Sequence, residues 1–310
     1  MNKVFIGSRT LTLNGHPSLK RLEDAGLKVL LGPPGKRPSE EEQLKILPEC
    51  VAYLAGTERI SEKVLESSKE LKIISRNGVG IENIDLDAAK RLNIQVSITP
   101  GSNAQGVAEL AISLMLVAGR SILPSSYSLK KGEWKRIKGF ELAGRTLGVI
   151  GTGNIGKRVI KMALGMNMIV IGYDLYPEKD FNPSNNFQYK SLNNLLANSD
   201  VISLHCPPGE KAIIDESAVK KMKKGVIIIN TARAGVVDDS AILNGLKVGT
   251  IDKYATDVYD KEPPKIDDLL SHERVICTPH IGAYTEESID RAVEEAIDNI
   301  LRVLELDDEN

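Results

Sequence analysis

The chain has 310 residues, about twice the usual size of a single domain, so two domains with separate cores are expected. Its 42% hydrophobic and 26% charged residues are a globular composition that excludes a disordered chain. Forty Lys and Arg stand against 42 Asp and Glu, and the net charge of -2 supplies no field that would draw the protein to nucleic acid or to an anionic membrane. Cys50, Cys206 and Cys277 lie far apart without Cys-x-x-Cys or Cys/His spacing, so neither a disulfide framework nor a metal site is expected, and they read as reduced, buried packing residues. The N-terminus runs straight into a short apolar segment, too brief for a signal sequence, and no stretch reaches the ~18 apolar residues of a membrane span. A soluble cytoplasmic protein with a small-molecule partner is the expectation.

In chain order, short β-branched runs at 4–6, 28–31, 51–54, 71–75 and 94–98 alternate with helical patterns, which predicts a parallel sheet with crossover helices. Pro33-Pro34-Gly35 and Pro48 punctuate the early units, and Thr99-Pro100-Gly101 breaks the series. After that break Asn103 is placed to cap an apolar helix over 107–117. A second series at 147–150, 168–173, 201–204, 226–229, 254–258 and 275–278 is richer in continuous Val and Ile, as a sheet covered on both faces requires. Residues 286–306 read as one amphipathic helix with Ile289, Val293, Ile297, Ile300 and Leu304 on its apolar stripe. The expected fold is therefore α/β, two Rossmann-like doubly wound parallel-sheet domains with a cleft between them. Residues 1–100 form the first, to which 286–310 returns, and 101–285 form the second.

Gly151-Thr152-Gly153-Asn154-Ile155-Gly156 follows the strand ending at Ile150 and opens a helix. Glycine at the first position allows the tight turn, at the second lets backbone amides approach a pyrophosphate, and at the third lets helix pack on strand. The helix N-terminus attracts the negative charge. Asp174 ends the next strand, where its carboxylate can accept hydrogen bonds from an adenosine ribose and repel a 2′-phosphate; Leu175 and Tyr176 offer no cation to hold one. The motif with its strand, helix and acid predicts binding of NAD in preference to NADP.

In a doubly wound domain ligands sit beyond the carboxyl ends of the strands, so polar residues just after those strands are candidate catalytic groups. Arg233 follows 226–232, Glu262 follows the strand ending near Val258, and His280 follows Ile276-Cys277-Thr278-Pro279. Such a trio suits proton and hydride chemistry on a carbonyl. These residues, the segment 71–85, the Gly-rich turn, Asn230-Thr231-Ala232-Arg233, Asp257 with Glu262-Pro263, and 278–283 together resemble the D-isomer-specific 2-hydroxyacid dehydrogenases over nearly the whole chain. Within that family the likeness is strongest to members acting on D-3-phosphoglycerate.

The resemblance implies a role for each matched residue. His280 would take the hydroxyl proton in oxidation and return it in reduction, and Glu262 would pair with its ring and fix its orientation. Arg233 would grip the substrate carboxylate and polarise the carbonyl. The amides of Asn77, Gly78 and Val79 would complete the carboxylate pocket from the first domain. Asp257 would hold the nicotinamide amide, and Cys206, Thr231, Ala232, Gly282 and Ala283 would line the cofactor. His205 also follows a strand, but it matches a structural position. Ala234 stands where the family usually has Gly, and the loop 207–210 is shorter than usual.

Arg76, and Arg136 within the basic segment 130–138, match places where relatives hold a substrate phosphate, so oxidation of D-3-phosphoglycerate is the leading expectation, with reduction of glyoxylate or hydroxypyruvate next. The C-terminal-binding corepressors share these motifs, but they carry long tails, and a chain ending at Asn310 fits them less well than it fits an enzyme. A regulatory domain after Leu306 is likewise not expected. The helix 107–117 is apolar around most of its circumference and is expected to pack on a second copy, making a homodimer.

Overall fold

A computed structural model of the chain describes residues 1–306. It contains two compact units, one formed by Met1–Asn103 with the chain from Glu286 onward, the other by Ala104–Thr285.

The first unit holds a five-stranded sheet of order β2-β1-β3-β4-β5, with β1 Lys3–Ile6, β2 Lys28–Leu31, β3 Ala52–Ala55, β4 Ile73–Arg76 and β5 Gln95–Ser97. Every pairing is parallel. Because side chains alternate across a strand, Val4, Ile6, Leu54 and Ile73 enter one buried cluster while Phe5, Tyr53, Ala55 and Ile74 enter another on the opposite face. Burial on both faces explains why these strands read as apolar runs rather than as alternation. The amphipathic helix Glu286–Leu304 lays Val293, Ala296, Ile297 and Ile300 on the first of these clusters. Ser75 Oγ donates to Ala296 O at 2.8 Å and Asn299 Nδ2 to Ile98 O at 3.2 Å, fixing the helix against β4 and the segment after β5. Residues 307–310 of the expected C-terminal return lie outside the described residues.

The second unit is a seven-stranded parallel sheet of order β12-β11-β10-β9-β6-β7-β8. Its strands are β6 Thr146–Ile150, β7 Ile169–Tyr173, β8 Phe187–Tyr189, β9 Val201–Leu204, β10 Val226–Asn230, β11 Ile251–Thr256 and β12 Val275–Cys277. The sheet reverses its winding between β6 and β9, which creates a crevice at their carboxyl ends. Helices begin where the sequence offers caps: Asp238 accepts the Ala241 amide at 3.1 Å to start Asp239–Val248, which Gly249 ends in the left-handed conformation at φ 77.

Several expectations need correction. β8 was not anticipated: it is three residues at the sheet edge with Phe187 alone buried, too short to show a period. β11 starts at Ile251 and stops at Thr256, not 254–258; Asp252 and Lys253 disguise its start, and the Asp257 amide makes a last bond to Asn230 O at 3.0 Å. The last helix ends at Leu304 rather than 306. Cys277 is exposed, unlike buried Cys50 and half-buried Cys206. The helix Ala104–Gly119 packs Ala108, Ala111, Leu114 and Met115 into the core of its own unit, as one face was expected to do. Leu116 is exposed on that helix, and Ile122, Leu123, Tyr127 and Leu129 are exposed on the following helix Ile122–Lys130.

Candidate active site

The Gly-rich turn lies at the carboxyl end of β6, beside the winding reversal. Gly151 has φ +90, and a Cβ there would come within 2.6 Å of the His205 backbone; one on Gly156 would meet Gly151 O at 2.0 Å. The fold itself therefore demands those two glycines. Gly153 is different: a Cβ there would meet nothing within 4 Å. No protein neighbour requires the missing side chain, so the open space over Gly153, at the N-terminus of the helix Asn154–Gly165, fits a ligand phosphate approaching backbone amides. Asn154 is exposed and Ile155 half-buried at that helix start. Cys206 follows β9, and its amide lies next to Gly151.

Asp174 ends β7 and is half-buried. Its Oδ2 accepts Thr152 N at 2.6 Å and Thr152 Oγ1 at 3.1 Å, and its Oδ1 accepts Tyr176 N at 2.9 Å. Burial alone would raise its pKa, but these hydrogen bonds outweigh it and hold the carboxyl below the ordinary carboxylate range. With the folded pKa depressed, this contribution to stability is present at neutral pH and is lost as pH falls through the carboxylate range. A negative charge at the end of this strand is expected to accept from a ribose hydroxyl and to repel a 2′-phosphate. Asp174→Ala is expected to weaken NAD binding about tenfold or more, the loss of a hydrogen bond to a charged acceptor, and to narrow the preference over NADP. Titration with both cofactors checks this; tighter binding of NADP by the unmodified protein would contradict it. Thr152, whose hydroxyl also accepts from Tyr189 at 3.1 Å, was not read as a site residue, although it sits inside the glycine motif.

His280 stands in the loop after β12. Its Nδ1 lies 2.5 Å from Glu262 Oε1, the two side chains being 45% and 28% exposed. An ionised carboxylate only accepts, so the pair places the proton on Nδ1 and leaves Nε2 to exchange a proton with a substrate. His280 has φ 53, a left-handed conformation that costs a non-glycine residue about 1–2 kcal/mol. Asp257, 2% exposed, over-determines it: Oδ1 accepts Thr278 Oγ1 at 2.7 Å and Ile281 N at 2.8 Å, and Oδ2 accepts Gly282 N at 2.8 Å. The carboxylate expected to hold a nicotinamide amide accepts three bonds from the loop that carries His280, and Oδ2, with one of them, keeps room for a further donor. Ala283 follows that loop, half-buried.

Arg233 follows β10 in a turn shaped by Asn230, whose Oδ1 accepts Ala232 N at 3.1 Å while Nδ2 donates to Arg233 O at 3.0 Å. The sequence carried this signal as an Asn at the strand end just before an Arg. Arg233 is half-buried, and one guanidinium nitrogen donates to Ala232 O at 2.8 Å. Thr231 is 7% exposed, and its hydroxyl has no hydrogen-bond partner among the described residues. His205 faces Ser203 Oγ at 2.8 Å through Nε2, and burial pushes its pKa down to about 3, so the ring is neutral at neutral pH and is no proton donor.

In the first unit, the loop after β4 differs from the expected cradle. Asn77 N is taken by Ala55 O, and Gly78 N donates to Thr99 Oγ1 at 3.0 Å and to Arg76 O at 2.9 Å. The Val79 amide has no hydrogen bond among the described residues, which makes it the donor on offer. Arg76 is 6% exposed, with Nε donating to Gly80 O at 3.0 Å and an amino nitrogen to Asn77 O at 2.6 Å. Arg136 is exposed in an irregular segment of the second unit, next to Trp134.

A dinucleotide turn with an acidic strand end, and an Arg and a Glu–His pair beyond later strands of the same sheet, define a nicotinamide-dependent dehydrogenase. The family model described as the D-isomer specific 2-hydroxyacid dehydrogenase NAD binding domain matches residues 112–282. The chain is 42% identical over 274 residues to a hydroxypyruvate reductase of Thermotoga maritima, covering 86% of this chain and 88% of that one. It is 41% identical over 294 residues to a D-3-phosphoglycerate dehydrogenase of Methanocaldococcus jannaschii, covering 92% of this chain but only 55% of that longer protein. A crystal structure of a protein from Thermus thermophilus superposes with a TM-score of 0.88 at 32% identity, covering 98% of this chain and 97% of the other. The chain belongs to the D-isomer specific 2-hydroxyacid dehydrogenase family and is an NAD-dependent enzyme.

Proposed function

We propose that the enzyme interconverts hydroxypyruvate and D-glycerate. The observation that carries this choice is Arg76. A phosphate-gripping arginine needs its fork of donors held out to a dianion, whereas this guanidinium is buried and bonded to carbonyls of its own loop. The likeness to the hydroxypyruvate reductase over 88% of that protein supports the same reading. Oxidation of D-3-phosphoglycerate is the second reading, favoured by 41% identity to phosphoglycerate dehydrogenases.

In this reading the Gly-rich turn and Asp174 would hold NAD, which would supply the hydride acceptor for oxidation and, reduced, the hydride donor for reduction. In reduction His280 Nε2 delivers the proton that converts the carbonyl oxygen to the hydroxyl. In oxidation it takes that proton while the C2–H bond breaks with its electron pair. Glu262 keeps the ring oriented through Nδ1 and balances the charge when both nitrogens are protonated. Arg233 binds the carboxylate and stabilises charge on the carbonyl oxygen.

The test compares initial rates of NADH oxidation with hydroxypyruvate, glyoxylate and 3-phosphohydroxypyruvate. The expected result is a kcat/KM for hydroxypyruvate about tenfold or more above that for the phosphorylated acid, the equivalent of one charge-assisted hydrogen bond that Arg76 does not supply. A preference for the phosphorylated acid contradicts the proposal and selects the second reading.

A further inference from the structure

The loop that carries Glu262 has little backbone bonding to hold it. It follows the end of β11 at Thr256 and runs over 259–266, where Pro263 and Pro264 have no amide hydrogen to donate. Among the described residues, no backbone group of 260–266 takes part in a backbone hydrogen bond. The loop does not rest flat on the sheet either. A cavity of about 180 Å³ lies beside it, lined by Lys261, Pro264 and Lys265 of the loop and by Tyr254 and Thr256 of β11.

Side chains supply the ties instead. Glu262 Oε1 lies 2.5 Å from His280 Nδ1, and the Tyr259 hydroxyl donates to Thr278 O at 2.7 Å. Both bonds reach the short loop after β12. β11 and β12 run side by side with Thr256 opposite Cys277, so Tyr259 stands three residues past one strand end and Thr278 one residue past the other. The carbonyl that receives the Tyr259 hydroxyl also receives the His280 amide, at 2.9 Å. Burial and the neighbouring Cys277 thiol push the phenol pKa up, so the hydroxyl stays a donor at working pH.

The need to satisfy polar groups does not explain this bond. Thr278 O already has a donor in the His280 amide, and at the half-buried position 259 a phenylalanine would fill the same space. The Glu262–His280 contact cannot hold the two loops alone, because its side chains are 28% and 45% exposed and so open a pair contributes little by itself. We infer that Tyr259 is a positioning residue, whose hydroxyl ties the Glu262 loop to the His280 loop and so keeps the carboxylate on Nδ1 and the proton of the neutral ring there. The inference rests on the reading of His280 and Glu262 as the proton-exchanging pair. All the groups it uses lie within the second unit.

Tyr259→Phe keeps the ring and removes only the hydroxyl. The test is nitrogen-15 NMR of the full chain labelled in its histidine rings, recorded at alkaline pH where imidazoles are neutral, with His280→Ala assigning the signals. In the wild type the Nδ1 shift is expected in the protonated range and the Nε2 shift in the unprotonated range. In Tyr259→Phe the two are expected to draw together as the Nε2–H form gains population, because the hydrogen bond at one ring nitrogen selects the tautomer. The signals of His205, bonded to Ser203 in the same sheet, should stay in place and report a folded variant. With hydroxypyruvate, kcat is expected to fall about tenfold, the worth of one hydrogen bond, with NAD affinity retained. Wild-type His280 shifts in the folded variant, whatever its kcat, overturn the inference, as does a wild-type ring that carries its proton on Nε2. A preserved kcat in His280→Ala overturns the reading of the proton-exchanging pair itself, and the two failures are thereby told apart.

Discussion

Replacing His280 with alanine is expected to lower kcat by about 10²–10⁴-fold in both directions, the usual worth of a positioned general acid–base, while leaving NAD affinity nearly unchanged. The reason is geometric. Glu262 occupies Nδ1 at 2.5 Å, which leaves Nε2 as the ring nitrogen on which the expected proton exchange depends. His205, the other histidine that directly follows a strand of this sheet, is held neutral with a pKa near 3 and cannot substitute as a proton donor at neutral pH. The cofactor turn is made by other residues, on β6 and β7, which is why binding and turnover separate. Steady-state rates with cofactor titration check both halves, and a variant with kcat preserved would show that the proton is exchanged elsewhere.

Asp257→Asn is expected to lower kcat about ten- to a hundredfold with little change in NAD affinity. An asparagine presents an amino group to one of the donors that the carboxylate now accepts from, Thr278 Oγ1, Ile281 N or Gly282 N, and an unsatisfied buried donor costs about 1–3 kcal/mol. That cost falls on the loop holding His280 at φ 53, so the left-handed conformation relaxes and the ring leaves its alignment with Glu262. The distinguishing readout is the split between binding and turnover. Loss of NAD affinity with kcat retained would mean that the carboxylate serves the nicotinamide amide instead.

Much of this site was legible in the residues because its parts are local. The Gly-rich turn needs glycine for steric reasons that act within six positions, and each catalytic group follows an apolar run by a few residues. What the sequence did not carry was the use of hydrogen-bonding capacity over long separations. Asn77 and Gly78 read as carboxylate donors, yet their amides are taken by Ala55 O and Thr99 Oγ1, a pairing that exists only once β3, β4 and the segment after β5 are assembled. Arg76 reads as a phosphate ligand from its charge, while the Gly80 and Asn77 carbonyls that it bonds are not visible in the sequence. The edge strand β8 escaped because three residues with one buried side chain carry no pattern.

The central claim, that this chain uses His280, Glu262 and Arg233 for NAD-dependent chemistry on an unphosphorylated D-2-hydroxyacid, is tested most directly by incubating the purified protein with NADH and hydroxypyruvate and resolving the glycerate formed on a chiral column. The predicted result is stoichiometric NADH oxidation with D-glycerate as the product; L-glycerate, or no turnover of hydroxypyruvate, would contradict it.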